Sequence, residues 1–482
     1  MTSEAKHGTS TRALFSIQIF ATLSFAVLYS SIVLFITQGL HLDTTTANEI
    51  MGNFIAFNYG LHLLGGYFGG RHLSYRNLFV LGIILQVVGC AILALTTQSS
   101  LYWGLAFFLT GSGLNVTCIN MMVTQLFAPE DKRRESAFIW NYSGMNIGFF
   151  LGFSMAGYFQ LSHAYNTLFI LCSISGLITL MITAINWKVL CDRNTPLTQA
   201  NAKRSIRALV GLTAIILMVP ILRWLLDHAS FSNQLVLIAG GIMLIVILLL
   251  AVREPFLQDK LRIFAYLIFA VCGLIFWTLY QIAPMGLTVF TFHNVDRHVF
   301  GMTISPQWIQ NVNSLVIIFG GPIMILLLKR VRKFMRFSIP LQFSFSMLYV
   351  GIGFLLLPIG IHYAAPNGLI NIDWVVASYV FQSIAELLIS PIGYAMIGLL
   401  APANLQGILM GSWMLMTGIA GMLASYCSNY AIANVSSQDP LITNPGYSHT
   451  FALLGWLAVG CGVTMLFLVP VLRRFINEKS HH

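Results

Sequence analysis

Gly65-Gly66-Tyr67-Phe68-Gly69-Gly70-Arg71, followed by Arg76, closes the second long apolar run of this chain. Gly320-Gly321-Pro322, followed by Lys329-Arg330, stands at the corresponding place in the second half. Glycines let two helices approach closely, and a basic turn holds a loop at the inner face of a membrane. The same device after the second run of each half reads as a duplicated set of helices in parallel orientation.

Outward from those turns, apolar runs lie near 11–37, 48–70, 76–97, 101–127, 136–160 and 163–188. Two more lie near 205–226 and 233–252, and six follow near 260–292, 306–330, 337–359, 371–401, 404–430 and 448–474. Each is long enough to cross a hydrocarbon core of about 30 Å as a helix. Helices are required because an open sheet edge has no hydrogen-bond partner in lipid. The expected fold is an all-α membrane protein with about fourteen spans. Six-helix bundles are expected at 11–188 and 260–475, with a linker at 189–259 carrying two extra central helices. Parallel six-helix repeats mark transporters of the major-facilitator type. The first run is too long for a cleaved leader and is read as the first span.

Composition agrees. Of 482 residues, 57% are hydrophobic and 8% charged, against roughly a quarter charged in soluble domains. The net charge of +10 raises the question of nucleic acid, and its distribution argues against that partner. Every Lys and Arg except Arg223 and Arg297 falls at an end of the chain or in alternate loops. These include Arg71 and Arg76; Lys132, Arg133 and Arg134; Lys188, Arg193, Lys203, Arg204 and Arg207; Arg253, Lys260 and Arg262; Lys329 to Arg336; and Arg473, Arg474 and Lys479. The positive-inside rule then puts both termini in the cytoplasm of a multi-pass inner-membrane protein. The seven cysteines are scattered, with no CxxC pair and no metal spacing, and read as small core residues. No phosphate-binding loop, metal cluster or soluble domain is visible, so neither an enzyme nor a cofactor is expected.

Three stretches carry a family likeness. Gly111-Ser-Gly-Leu-Asn115 continues through Phe127-Ala-Pro-Glu-Asp-Lys-Arg-Arg-Glu-Ser-Ala-Phe138 to Tyr142-Ser-Gly-Met-Asn146-Ile-Gly148. Phe381-Gln-Ser-Ile-Ala-Glu386-Leu-Leu-Ile-Ser390-Pro391-Ile-Gly393 and Gln406-Gly407-Ile-Leu-Met410-Gly411-Ser-Trp413 follow. They resemble the proton-dependent oligopeptide transporter family of the major facilitator superfamily, from about residue 30 to the end. The resemblance implies import of di- and tripeptides, or related amine-bearing solutes, by alternating access linked to protons. It also implies a cavity between the bundles.

The chain departs from that family in its first span, where an ExxER motif is usual. The alignment puts Gln18, Ala21 and Thr22 at its charged positions, and Phe25 and Ala26 at the following tyrosine pair. The family's fourth-span lysine falls at Val116, and no acid lies between Ile263 and Phe292. Altered proton coupling is therefore expected.

Glu386 is the acid deepest inside any span. A carboxylate at mid-membrane costs about 2.5 to 3.5 kcal/mol on insertion scales, which points to a polar cavity and a functional role. In the resembling family its position meets the substrate's amino end. Ser390 lies one turn further on the same face, though a lone serine is more often packing. Tyr142 and Asn146 share a face of span five, and Asn313 lies inside span eight; for each, helix-to-helix bonding competes with substrate contact. Tyr59 and Trp413 also match family cavity positions, and Trp413 reads equally as a packing aromatic or a gate. His62, three residues after Tyr59, titrates near physiological pH; it is a second proton-coupling candidate beside Glu386, against a plain reading as a neutral buried imidazole. The expected partners are a small peptide or amine, protons and lipid, with the chain a monomer. Two alternatives stand beside this: a transporter whose solute lacks a carboxylate, and a peptide-binding sensor that does not transport.

Overall fold

The computed structural model describes residues 3–127, 131, 133–192, 195–199, 204–334, 338–402, 405–433 and 437–476. Of the cations assigned to the inner loops, Lys132, Arg193, Lys203, Arg336 and Lys479 lie outside these residues. The chain is helical almost throughout. In order come α1 (Ser3–Leu34), α2 (Thr44–Phe68), α3 (Tyr75–Leu93), α4 (Gln98–Leu126), α5 (Arg133–Leu161), α6 (Tyr165–Ile185), the short α7 (Pro196–Gln199), α8 (Arg204–Asp227) and α9 (Ala229–Arg253). There follow α10 (Leu257–Gln281), α11 (Thr288–Asn294), α12 (Pro306–Phe334), α13 (Ile339–His362), α14 (Ile372–Leu400), α15 (Gln406–Ala431) and α16 (Pro440–Ile476). Two-residue strands β1 (Val295–Asp296), β2 (His298–Val299), β3 (Met302–Thr303) and β4 (Ile370–Asn371) tie loops together, β1 beside β4 and β2 beside β3.

This is an all-α, multi-pass membrane architecture. Among the described residues, 12 helical segments are long and apolar enough to cross a bilayer. The long helices α2 and α5 are not among them. Their polarity has a visible source: α2 carries Asn48, Asn53, Asn58 and His62, and α5 carries Asn141, Asn146 and Gln160. These are two of the helices on which the sequence places candidate site residues.

The chain divides into two compact units, Met1–Ser232 and Asn233–His482, with the division inside α9. In the first unit, α5 packs on α1 through glycines one turn apart. A Cβ on Gly148 would lie 2.7 Å from the Ile19 carbonyl, and one on Gly152 would lie 2.6 Å from Ala26 Cβ. Small residues at this spacing are what lipid-embedded helices need for close approach. Serines then fasten α1 to α6: Ser24 Oγ donates to the Cys172 carbonyl at 3.0 Å and Ser175 Oγ to the Phe20 carbonyl at 2.8 Å. In the second unit, α13 meets α16 at Gly351 and Gly455 in the same way, and Ser344 Oγ donates to the Gly462 carbonyl at 2.7 Å.

Caps mark the helix starts. Asp43 accepts from Thr46 N at 2.8 Å at the start of α2, and Thr97 and Ser100 form a capping box at the start of α4. One long helix is broken. Between α10 and α11, Ala283–Leu287 forms a π-helical turn in which Met285 leaves helical geometry at φ −115, ψ −109. Its freed polar groups are satisfied locally: Gly286 N donates to Ser428 Oγ at 3.0 Å, and Thr288 Oγ1 to the Ala283 carbonyl at 2.7 Å. A broken span is tolerated in lipid when side chains take over the lost backbone bonds in this way.

Candidate functional site

In the second unit, the sequence candidates Asn313 and Glu386 come together. Asn313 on α12 donates its Nδ2 to Glu386 Oε2 on α14 at 2.8 Å and lies 3.1 Å from Ser383 Oγ. Tyr280 on α10 completes the group. Its hydroxyl reaches Asn313 Oδ1 at 3.4 Å and is also hydrogen-bonded to the Glu386 carboxylate. Three helices thus converge on one carboxylate. A neutral amide and a phenol hold that carboxylate without neutralising it, and the described residues contain no Lys or Arg paired with it. Acidic oxygens retained in this form suit a ligand that brings its own positive charge.

The second unit's other polar groups extend the cluster. Ser390, one turn beyond Glu386, has a buried Oγ with no partner among the described residues. Trp277, one turn before Tyr280, has a buried indole N–H likewise without a partner, and its ring meets Tyr280 edge-on at 5.4 Å. Trp413 packs one turn away, on the same two helices. It is 3% exposed, with its indole between α10 and α14. A Cβ on Gly273 would fall 2.9 Å from the ring and one on Gly393 2.6 Å from it. The ring fills the space that two missing side chains leave.

In the first unit, the candidates form two local pairs. Tyr59 is half-buried and meets the His62 ring edge-on at 5.6 Å. His62 is 8% exposed; its Nε2 is buried without a partner among the described residues, while its carbonyl accepts from Thr117 Oγ1 of α4 at 2.9 Å. Asn146 donates to the Tyr142 carbonyl at 2.9 Å, so one of its amide protons serves its own helix, whereas the Tyr142 side chain is 46% exposed.

The departures in the first span have a structural counterpart. Gln18 and Thr22 are buried and bonded to each other at 2.8 Å. Phe25 stacks on Phe54 with centroids 5.7 Å apart and meets Phe149 edge-on at 6.1 Å. Apolar aromatic packing fills the region where the resembling family usually carries a tyrosine pair. Of the two cations that the sequence pattern sets apart, Arg223 pairs with Asp227 at 3.2 Å, and Arg297 donates to the Ile304 carbonyl at 3.0 Å.

Sequence reasoning missed Tyr280, Trp277 and Ser383. Ser383 lies inside the quoted 381–393 stretch, three residues before Glu386, where helical spacing puts it on the same face. Tyr280 and Trp277 form an aromatic pair at i, i+3 just before Pro284, a helix-breaking signal in an apolar run.

Comparison with known proteins agrees with this architecture. The model of the POT family matches residues 76–441, well over half of the chain. The chain belongs to the POT family. Dipeptide and tripeptide permease A of Salmonella typhimurium is 26% identical over 474 residues, covering 97% of this chain and 93% of the permease. The permease A of Serratia proteamaculans is 28% identical, with 97% and 92% covered. Among solved structures, tetrameric PepTSo2 superposes with a TM-score of 0.85 at 23% identity, covering 97% of this chain and 99% of that one. A POT family transporter in complex with a thioalcohol-conjugated peptide superposes with a TM-score of 0.81 at 22% identity, covering 96% of each chain. These structures establish the shared fold, and the family is one of permeases and not of enzymes.

Proposed function

We propose that this chain imports di- and tripeptides, or related small solutes bearing an amine, by alternating access. The observation that carries the reading is the Glu386 carboxylate, held by Asn313 and Tyr280 with no Lys or Arg paired to it among the described residues. A substrate ammonium is the charge that such a group lacks. Permeases for di- and tripeptides that match over almost the whole chain support the peptide assignment. In this reading Tyr59, Tyr142 and Asn146 supply neutral hydrogen-bonding groups to the substrate, and Ser390 and Trp277 add to the Glu386 end. Trp413 shapes that region by packing.

The same reading includes a proton as co-substrate, with Glu386 the main coupling group and coupling altered by the neutral Gln18–Thr22 pair. The positive-inside pattern supports an inner membrane with both termini cytoplasmic. The expected bundles, 11–188 and 260–475, and a monomeric chain belong to this proposal; of the structural relatives, PepTSo2 is described as tetrameric.

A second reading rests on one specific observation. In the first unit, Gln18 and Thr22 spend their hydrogen bonds on each other, and Val116 offers no charge. At positions 18, 22 and 116 a substrate carboxylate finds no side-chain cation. Peptide amides or amines without a carboxylate then fit better than free peptides. A thermal-shift screen of purified protein separates the readings, since a ligand that binds the folded state raises the melting temperature. Stabilisation by dipeptides above their amides supports the first reading. The reverse order supports the second, and stabilisation without uptake of labelled ligand into liposomes defeats both in favour of a sensor.

A further inference from the structure

Four of the seven cysteines stand in pairs that the spacing in sequence conceals. Cys90 on α3 and Cys172 on α6 are hydrogen-bonded in the first unit. Cys272 on α10 and Cys461 on α16 stand with sulfurs 3.4 Å apart in the second. The two pairs differ in access. Both members of the first pair are buried. In the second pair Cys272 is buried, but Cys461 is partly open, one turn from the exposed Leu457 on α16. The neighbouring Gly460 has nothing within 4 Å of where its Cβ would be. Cys461 is therefore the one member of the two pairs with surface open to an apolar reagent dissolved in lipid.

We propose that Cys272 and Cys461 are an oxidative modification site, a dithiol that a lipid-soluble quinone converts to a disulfide fastening α10 to α16. The two S–H bonds break and one S–S bond forms. The two electrons and two protons pass to the quinone, which becomes the quinol. The sulfurs close from 3.4 Å to a bonded separation of about 2.05 Å.

The consequence follows from what α10 carries. Eight residues past Cys272 stands Tyr280, bonded to Asn313 and Glu386, and beyond it the helix breaks at Met285. A covalent tie to α16 restrains the segment of α10 that leads into both. Rigid attachment on one side of a break removes freedom from a helix that the break divides into two parts. The disulfide thus acts as a brake on transport, and this part of the inference rests on the transport reading above.

The test uses the full chain in proteoliposomes treated with duroquinone, a fully methylated benzoquinone with no ring position open to thiol addition. Free thiols are then alkylated, and peptides are mapped by mass spectrometry. The expected result is a Cys272–Cys461 linked peptide with Cys90 and Cys172 still free. Peptide uptake should fall at least fivefold and recover with dithiothreitol. Cys461→Ser and Cys461→Ala should both lose the link and keep uptake. No linked peptide in the wild type overturns the site. A linked peptide with unchanged uptake overturns the brake. If the reduced protein takes up no peptide at all, the transport reading fails, and the linkage is still read directly from the peptide map.

Discussion

Asn313 Nδ2 donates to Glu386 Oε2 at 2.8 Å, joining α12 to α14. The amide keeps the carboxylate in place without cancelling its charge, so Glu386→Gln is an informative change. The replacement is nearly isosteric and its Oε1 still accepts from Asn313, so the melting temperature should hold or rise once a costly charge leaves the membrane. Stabilisation by free-amine ligands should disappear. A charge-assisted hydrogen bond is worth about 1.5 to 3 kcal/mol, or roughly 10- to 150-fold in affinity. Isothermal titration of a dipeptide measures it; equal affinity for wild type and variant removes Glu386 from the binding site.

Tyr280→Phe tests whether the phenol belongs to the same unit. The ring stacks on Phe276 at 6.1 Å and meets Trp277 edge-on at 5.4 Å, so the variant should fold. Losing the hydroxyl should weaken ligand affinity by about three- to tenfold, the worth of one hydrogen bond near 1 kcal/mol. Groups in one network are non-additive. In a double-mutant cycle, Tyr280→Phe should therefore cost much less in the Glu386→Gln background. Fully additive losses would separate Tyr280 from the carboxylate.

Much of this is legible in the sequence, and the remainder is hidden for physical reasons. Glu386 is visible because a carboxylate in an apolar run is costly, and the helix count follows from run length alone. Its pairing with Asn313 spans 73 residues, and no local pattern reports such a contact. Tyr280 escapes because an aromatic in a membrane span is ordinary; only the break that follows it marks the place. Trp413 reads equally as a gate or as packing until Gly273 and Gly393 are seen on either side of it. The cysteine pairs join α3 to α6 and α10 to α16, and only the folded chain brings them together.

The clamp on Trp413 gives a stability prediction with an internal control. Gly393→Ala places a methyl 2.6 Å from the indole, whereas Gly398→Ala on the same helix α14 meets nothing within 4 Å. Gly393→Ala should cost about 1 to 3 kcal/mol, as overpacking of a tight contact does, and lower the melting temperature in detergent. Gly398→Ala should leave it unchanged or slightly raised, since alanine is the better helix former. Equal melting temperatures for the two variants would show that the Trp413 ring moves aside freely.

Asp43 caps α2 outside the membrane-spanning segments and gives a pH dependence. Burial pushes its carboxyl up, but hydrogen bonds from the Thr46 hydroxyl and backbone N–H, with further backbone donors, together hold it below the ordinary aspartate value. A depressed carboxyl contributes stability that is fully present above its unfolded value and is lost as pH falls through the folded one. Asp43→Ala should cost about 1 kcal/mol at neutral pH, the usual worth of such a cap. The melting-temperature gap to wild type should close as pH falls below the ordinary aspartate range. Asp43→Asn, which can still accept from Thr46, should keep most of the cap and show little pH dependence. A gap that persists undiminished in acid assigns the loss to packing and not to the carboxylate.

The last prediction concerns proton coupling, where His62 and Glu386 are the candidates. The His62 ring is buried beside Tyr59, and its Nε2 has no acceptor among the described residues. Nor does it belong to any ion pair found among them. An imidazolium there would bring an uncompensated charge into an apolar place, which costs far more than a neutral ring. Glu386 differs in that its carboxylate accepts from Asn313 and Tyr280. Protonation there removes the charge and turns one of the two acceptor oxygens into a donor while the other still accepts, so a proton at this position changes how Tyr280 of α10 and Asn313 of α12 are tied to α14. A coupling group must do this, and His62, bonded to α4 only through its carbonyl, does not. In proteoliposomes with an imposed pH gradient, acidic outside, His62→Asn should retain gradient-driven peptide uptake within about twofold of wild type. Glu386→Gln should lose at least tenfold, the equivalent of about 1.4 kcal/mol, while counterflow of any ligand it still binds becomes insensitive to the gradient. Loss of concentrative uptake in His62→Asn, with binding intact at fixed pH, would transfer the coupling role to His62.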